Sequence, residues 1–418
     1  MANNLLTISQ ITNEALMVLE NSLVLGASIN REYDDQFAVA GGKIGSVVNV
    51  RKPARFIGTT GPALAVEDFV ESSVPIALNT QFHVDTQFTT QDLALSMDLF
   101  SARVIKPMMA AISNKIDRDV ALMAKNNTAN IVGVAGTAPT GLLTYLNAGA
   151  YLDAEGAPRD GNRTVVVEQF TSAAIVDSLK GLFLPMKTIE GQFKRGLMGT
   201  DSGGMDWKMD QNIANQTFGA WATTAGTLTA NTSVNAGFVT TGWASTSTIT
   251  LTNSQTINLN QGDTFTIAGV FGVNPQNRQS YGKLRNFVVT AASGAGAGTF
   301  SVTVSPAIIT AGQFQNVTIT STSTTAAVTP FSIAGTTATA VTGAQNVLFH
   351  KNAFALACAD LVLPEGVHFA GRASDKGAGL SIRLVRQYTI NNDALPTRAD
   401  VLYGVAPLYP ELACRISS

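Results

Sequence analysis

The residues with which this chain of 418 could do chemistry are few: three histidines, two cysteines and some paired carboxylates. His83, His350 and His368 are not spaced as metal ligands, and neither Cys358 nor Cys414 stands near one of them in a zinc-like pattern. Each cysteine sits in apolar text (ALACADLVL, ELACRI), as a buried thiol does, and two cysteines suit synthesis in a reducing cytosol. GTDSGG at 199–204 has the look of serine-hydrolase text. A nucleophile, however, needs a base within hydrogen-bond reach and an oxyanion site, and nothing else in the chain supplies them. AVAGGKIGS at 38–46 lacks the phosphate-loop spacing. Glu67, Asp68, Asp117 and Asp119 read as solvated or ion-paired groups. The basic residues are scattered singly and in pairs, without the stripe that nucleic-acid readout needs. The expectation is a protein with no catalytic site, no metal and no cofactor.

The elements that would position such residues centre on 98–127. There Val104, Ile105, Met108, Met109, Ile112, Ile116, Val120 and Met123 recur at spacings of three and four, one stripe of a long helix. Lys115, Arg118 and Lys125 fall mostly off the stripe. Pro107 predicts a lead-in turn or kink, and Ser101 a cap. From Pro107 to Asn126 the helix would run roughly 30 Å at about 1.5 Å per residue. An earlier helix is predicted from Ile8 to about Leu25. Between 47 and 82 short strand-like runs are cut by prolines and glycines. From Ile76 to Phe88 apolar residues alternate, and Phe82 and Phe88 fall on the apolar side, as on a hairpin whose cover is its own domain or a neighbour. Further on, 131–152 is small and glycine-rich, Thr164–Val167 reads as a strand, 170–184 as a helix and 187–207 as an irregular loop. Asn346–Leu361 reads as apolar and then helical, and Ser381–Tyr388 as a strand. In the closing stretch Leu402, Tyr403, Val405 and Tyr409 anchor a final strand and turn.

Composition divides the chain more sharply than pattern does. Charged residues are only 13% and net charge is -2, low for a soluble surface, which suggests cover by other subunits or a Ser/Thr-rich secreted surface. Between 214 and 345 the only charges are Asp263, Arg278, Lys283 and Arg285, and Thr/Val/Ile/Phe runs alternate with period two between turn residues. This predicts a small all-β barrel or sandwich inserted into a discontinuous α+β body. No basic n-region with an apolar core opens the sequence, and no run of 18 apolar residues occurs, so neither a signal peptide nor a membrane helix is expected.

This order of parts resembles the major coat proteins of tailed bacteriophages with the HK97-like fold, in the P22-like group that carries an inserted β-barrel. The texts LFHKNAFALA at 348–357 and TRADVLYGVAPLYPELACRI at 397–416 are similar to the closing segments of that group. The resemblance implies an α+β fold in five parts. These are an N-terminal arm and helix (1–45), an extended loop with peripheral strands (46–97), the spine helix with peripheral and first axial parts (98–213), the inserted barrel (214–345) and the remaining body (346–418). It implies an icosahedral shell around double-stranded DNA, with copies of the chain in hexamers and pentamers. It further implies a scaffolding protein, a portal protein at one vertex, non-specific DNA contact, assembly in the host bacterial cytoplasm and no membrane. The candidates for core or inter-subunit packing are Phe82, Phe88, Ile112, Ile116, Tyr403 and Tyr409. The alternative is a secreted β-rich adhesin or surface-layer lattice subunit.

Overall fold

The computed structural model describes residues 8–31, 47–89, 104–179, 202–219, 229–230, 242–253, 257–291, 293–295, 298–320, 325–331, 341–375 and 379–418. The expected cap at Ser101, the chain at 32–46 and 90–97, and most of the 187–207 loop lie outside them. The chain divides into two compact units.

The first unit comprises 1–50, 74–120 and 354–406. Its hub is the 14-residue strand Ala394–Pro407. That strand pairs antiparallel with Leu380–Arg386 and, in register from Ala394↔Thr89 to Tyr403↔Thr80, with Thr80–Thr89. Phe354–Ala359 and Phe369–Asp375 complete the sheet. Along Thr80–Thr89, Gln81, His83, Asp85 and Gln87 are exposed while Phe82, Val84 and Thr86 are half-buried, the period of two that the text shows. The 76–88 run is two strands, Ser72–Ala77 and Thr80–Thr89, separated at Leu78 and Asn79. Helix Ile8–Ser22 lies against Phe369–Asp375 and Leu380–Arg386 through a face that buries Ala15, Leu16 and Leu19.

The spine is an α-helix, Lys106–Asn127, with Pro107 in its first turn, where a missing N–H costs nothing. Residues 106–120 belong to the first unit. There Ile105, Met108, Met109, Ile112, Ile116 and Val120 are all buried, as the stripe requires. Asp117 is not a solvated group. It is buried, and its carboxylate accepts the backbone N–H groups of Val24 (2.9 Å) and Gly26 (2.7 Å). These are amides at the start of the short helix Leu25–Ser28, where a carboxylate satisfies donors that no helical carbonyl can reach.

The second unit comprises 51–73, 121–353 and 407–418. Its body sheet runs Ile131–Gly133, Ala413–Ser417, Thr342–His350, Arg163–Val167, Asp206–Met209. Ala413–Ser417, Arg163–Val167 and residues 343–350 are buried at every position. Strands covered on both faces read as continuous apolar runs. For that reason 346–361 resembles a helix in sequence, whereas it forms the strands Thr342–His350 and Phe354–Ala359 joined by the 3-10 turn Lys351–Ala353. A second correction falls at 131–152, which holds the strand Ile131–Gly133 and the helix Leu142–Ala154. The helix buries Tyr145, Ala148 and Leu152 against the body sheet, with the Tyr145 and Trp207 rings 4.8 Å apart.

The 214–345 stretch forms a closed barrel. Its strands run Ser280–Val289, Gly298–Ser305, Ser247–Asn253, Thr229–Ala230, Ala326–Pro330 and Thr264–Val273, and the last pairs back onto the first. Val317–Ile319 adds to Thr264–Val273 beyond a register shift at Gly269, whose φ of 81° suits glycine. Ile249, Leu251, Phe265, Ile267, Val302 and Val304 meet inside, as their spacing requires. On Ser280–Val289 the inward residues are Phe287 and Val289. Val288 is buried but is not one of the barrel's core residues. Asn215–Thr217 pairs with Thr342–Ala344, so the chain enters and leaves the barrel side by side.

Candidate assembly surfaces

Of the six packing candidates, Ile112 and Ile116 are fully buried on the spine helix and are core residues of the first unit. Tyr403 is also core, and its hydroxyl donates to Asp119 Oδ2 at 2.5 Å. Burial, reinforced by that carboxylate, pushes the phenol's pKa up. Asp119 also takes Lys115, one turn back, at 2.5 Å. Phe82 is half-buried and pairs with Val401; Phe88 pairs with Leu395, and its side chain lies outside the described residues. Tyr409 is half-buried, with Lys52 Nζ 4.4 Å from its ring centre. Three of the six are therefore core residues and not surface ones. Cys358 and Cys414 are free and buried. His350 is buried with Nε2 3.1 Å from Asp160 Oδ1. Among the described residues no group of His, Cys, Asp or Glu could hold a metal ion, and no helix is long and apolar enough to cross a membrane.

Exposed apolar side chains such as Phe170, Val362 and Ile390 stand singly or in pairs elsewhere, but five lie together in the arm at 51–73. Leu64 is 91% exposed and Val66 83%, and Phe56, Ile57 and Phe69 are exposed with them. A soluble surface tolerates scattered apolar residues, but five exposed ones within a single loop form a surface that lacks its cover. The arm has internal order. The Glu67 carboxylate accepts the N–H groups of Ile57 (2.7 Å) and Gly58 (2.6 Å), and the Phe56 and Phe69 rings lie 6.3 Å apart.

The barrel meets the body through buried polar groups. Lys125 stands off the apolar stripe, yet it is buried, and its Nζ donates to Gln216 Oε1 at 2.6 Å. Gln216 in turn donates to Asp263 Oδ1 at 2.9 Å, and Asp263 Oδ2 accepts the N–H groups of Gly219 and Asn260. Arg415 donates to the Gly262 carbonyl at 2.9 Å. Gly262 has φ 93°, and a Cβ there would come within 2.6 Å of Gln216 Oε1, so both conformation and space require glycine. Burial and the nearby Arg415 charge push the Lys125 ammonium down to about 8, against the opposing pull of Asp263. Burial likewise lowers Arg415 to about 10. A second junction joins Arg285 to Glu155, which follows the helix Leu142–Ala154; both are buried, and their charged groups are in contact. Burial lowers the guanidinium's pKa, the Glu155 carboxylate raises it, and the carboxylate prevails.

Three of the four charges in 214–345 thus face other parts of the same unit: Asp263, Arg285, and Arg278, whose guanidinium reaches the Phe56 carbonyl at 3.2 Å. Sequence reasoning passed over these positions. A signal was present, because Asp263 shares strand parity with the inward Phe265 and Ile267, and Arg285 shares it with Phe287 and Val289.

A family model described as P22 coat protein, gene protein 5, matches residues 1–415. The chain belongs to the P22 coat protein family. It is accordingly a structural protein of the virion, a major capsid subunit of a phage. No curated protein sequence matches it. Among solved structures, one from Mycobacterium phage Che8 is similar at 11% identity and TM-score 0.47, over 94% of this chain and 90% of its own. The capsid of Cyanophage P-SCSP1u is similar at 12% identity and TM-score 0.41, over 89% and 83%. The CUS-3 coat protein I-domain is 27% identical with TM-score 0.19, over 27% of this chain and 98% of its own. The identification of this P22 coat family member rests on the family match alone.

Proposed function

We propose that this P22 family coat subunit assembles with copies of itself, as hexamers and pentamers of an HK97-like icosahedral shell around double-stranded DNA, and has no catalytic task. The observation that carries the contact reading is the exposed apolar arm. Phe56, Ile57, Leu64, Val66 and Phe69 offer a neighbouring subunit a hydrophobic strip at the cost of little rearrangement. Phe82, half-buried on the strand Thr80–Thr89, is a second candidate for contact with a neighbouring subunit. In this reading the DNA is contacted without sequence preference, a scaffolding protein guides closure, and a portal protein occupies one vertex. Assembly takes place in the host cytoplasm. The barrel at 214–345 is a folding unit of its own within the subunit, and its closed strand ring and separate apolar core support this.

Electron microscopy of purified protein tests the reading, with closed shells as the expected product and flat lattices or fibres as the refuting one. Leu64→Asp with Val66→Asp should leave the subunit soluble and folded while abolishing shells. Normal shells from that variant would remove the arm from the interface.

A further inference from the structure

The arm at 51–73 is open toward Leu64 and Val66 and held on either side of them, in part by ion pairs of Arg51 with Glu71 and Arg55 with Glu411 and in part by the inserted barrel. Val70 packs against a buried cluster of Ala307, Ile309 and Phe314, together with Trp243. The Gln313 side-chain amide donates to the Asp68 carbonyl at 2.6 Å. Arg278 donates both to the Phe56 carbonyl and, at 3.0 Å, to the Gln313 carbonyl, so one guanidinium ties the two sides together. Lys52 Nζ lies 4.4 Å from the centre of the Tyr409 ring and 5.9 Å from that of Trp243.

Arg278 is placed for this by its own backbone. Its φ is 55°, a left-handed conformation that a long side chain rarely adopts. The turn that holds it is built by asparagine: the Asn274 side chain accepts the N–H of Gln276, the Asn277 side chain accepts that of Gln279, and the Asn274 carbonyl accepts that of Arg278. An unusual backbone held by several local bonds, ending in a guanidinium on another segment's carbonyl, is the arrangement of a positioning residue.

We propose that the inserted barrel is the abutment that sets the arm's direction in the unassembled subunit, with Trp243, Arg278, Gln313 and Phe314 as the positioning residues. This rests on the reading of the arm as the inter-subunit contact. Its physical benefit is preorganisation, because an arm already held in one direction loses less conformational freedom when it docks. The barrel then acts on assembly through the arm of its own subunit.

The test uses the full-length subunit kept unassembled at low concentration. Nitroxide labels go on Leu64→Cys at the arm and Thr250→Cys on an exposed barrel position, and the distance distribution between them is read by pulsed electron resonance. The native Cys358 and Cys414 are buried and should not compete for label. The parent should give one narrow distribution, and Arg278→Ala with Gln313→Ala should at least double its width. Neither residue is part of a core, so the variant should fold, with barrel circular dichroism as the control. Phe314→Ala should broaden the distribution further. A broad distribution in the parent, or an unchanged width in the variants, overturns the abutment. Because no step requires assembly, a held arm together with normal shells from the Leu64/Val66 variant would refute the contact reading and leave the abutment standing.

Discussion

Replacing Arg285 by Met would strand the Glu155 carboxylate at the junction of barrel and body. Both side chains are almost fully excluded from solvent, at 2% and 4% exposure. Removing one partner of a buried pair generally costs about 3–5 kcal/mol, because the remaining charge keeps its desolvation penalty without its compensation. The lower part of that range is expected, since Arg285 Nε finds no hydrogen-bond partner even in the intact pair. Tyr281 will not rescue the variant: its hydroxyl stands 3.4 Å from both Glu155 Oε1 and Arg285, at the outer limit of a useful hydrogen bond. Tyr281→Phe should therefore cost under about 1 kcal/mol. The double variant Glu155→Leu with Arg285→Met removes both charges and should return to within about 1 kcal/mol of the parent, because an apolar pair of similar volume has no desolvation penalty. Native-state hydrogen exchange of the full-length subunit measures this directly. The Val289 N–H donates to the Asp263 carbonyl inside the barrel and reports its opening. The reasoning fails if Arg285→Met changes the opening free energy by less than about 1 kcal/mol, or if the double variant is as unstable as the sum of the singles.

Two further outcomes are expected. Ile116→Asp places a carboxylate at a fully buried position of the spine helix and should give insoluble or unassembled subunits, whereas wild-type yields of soluble protein and normal particles would contradict the assignment of that face. For Lys125, the folded-state pKa of about 8 lies below the ordinary 10.5, so between these values the unfolded chain binds more protons and stability should rise with pH. Lys125→Met should flatten that rise, and equal slopes for parent and variant in urea titrations from pH 8 to 10.5 would refute it.

The spine stripe, the buried cysteines, the alternation along Thr80–Thr89 and the barrel's inward rows were legible in the sequence because each follows from a local period. A side chain repeating every 3.6 or 2 residues reports which face is covered, whatever covers it. The period failed where both faces of a strand are buried, as at Thr342–His350 and Phe354–Ala359, since continuous apolar text carries no phase. It also failed at Leu142–Ala154, where small residues and glycine obscured a helix held mainly by packing on the body sheet.

The candidate surfaces divide along the same line. That the 51–73 loop holds Phe56, Ile57, Leu64, Val66 and Phe69 is plain from the text, but that these remain uncovered is decided by which parts of the chain fail to reach them. Tyr403 and Phe82 lie on paired strands, yet one is core and the other half-buried, a difference set by what packs over each strand. The charges of the insertion are the clearest case. Their scarcity is a property of composition, whereas their use depends on partners distant in sequence: Asp263 with Gln216, Arg285 with Glu155 and Arg278 with the Phe56 carbonyl. A buried charge is tolerated only where a partner is brought to it, and the closed barrel and body sheet of the folded subunit bring those partners together.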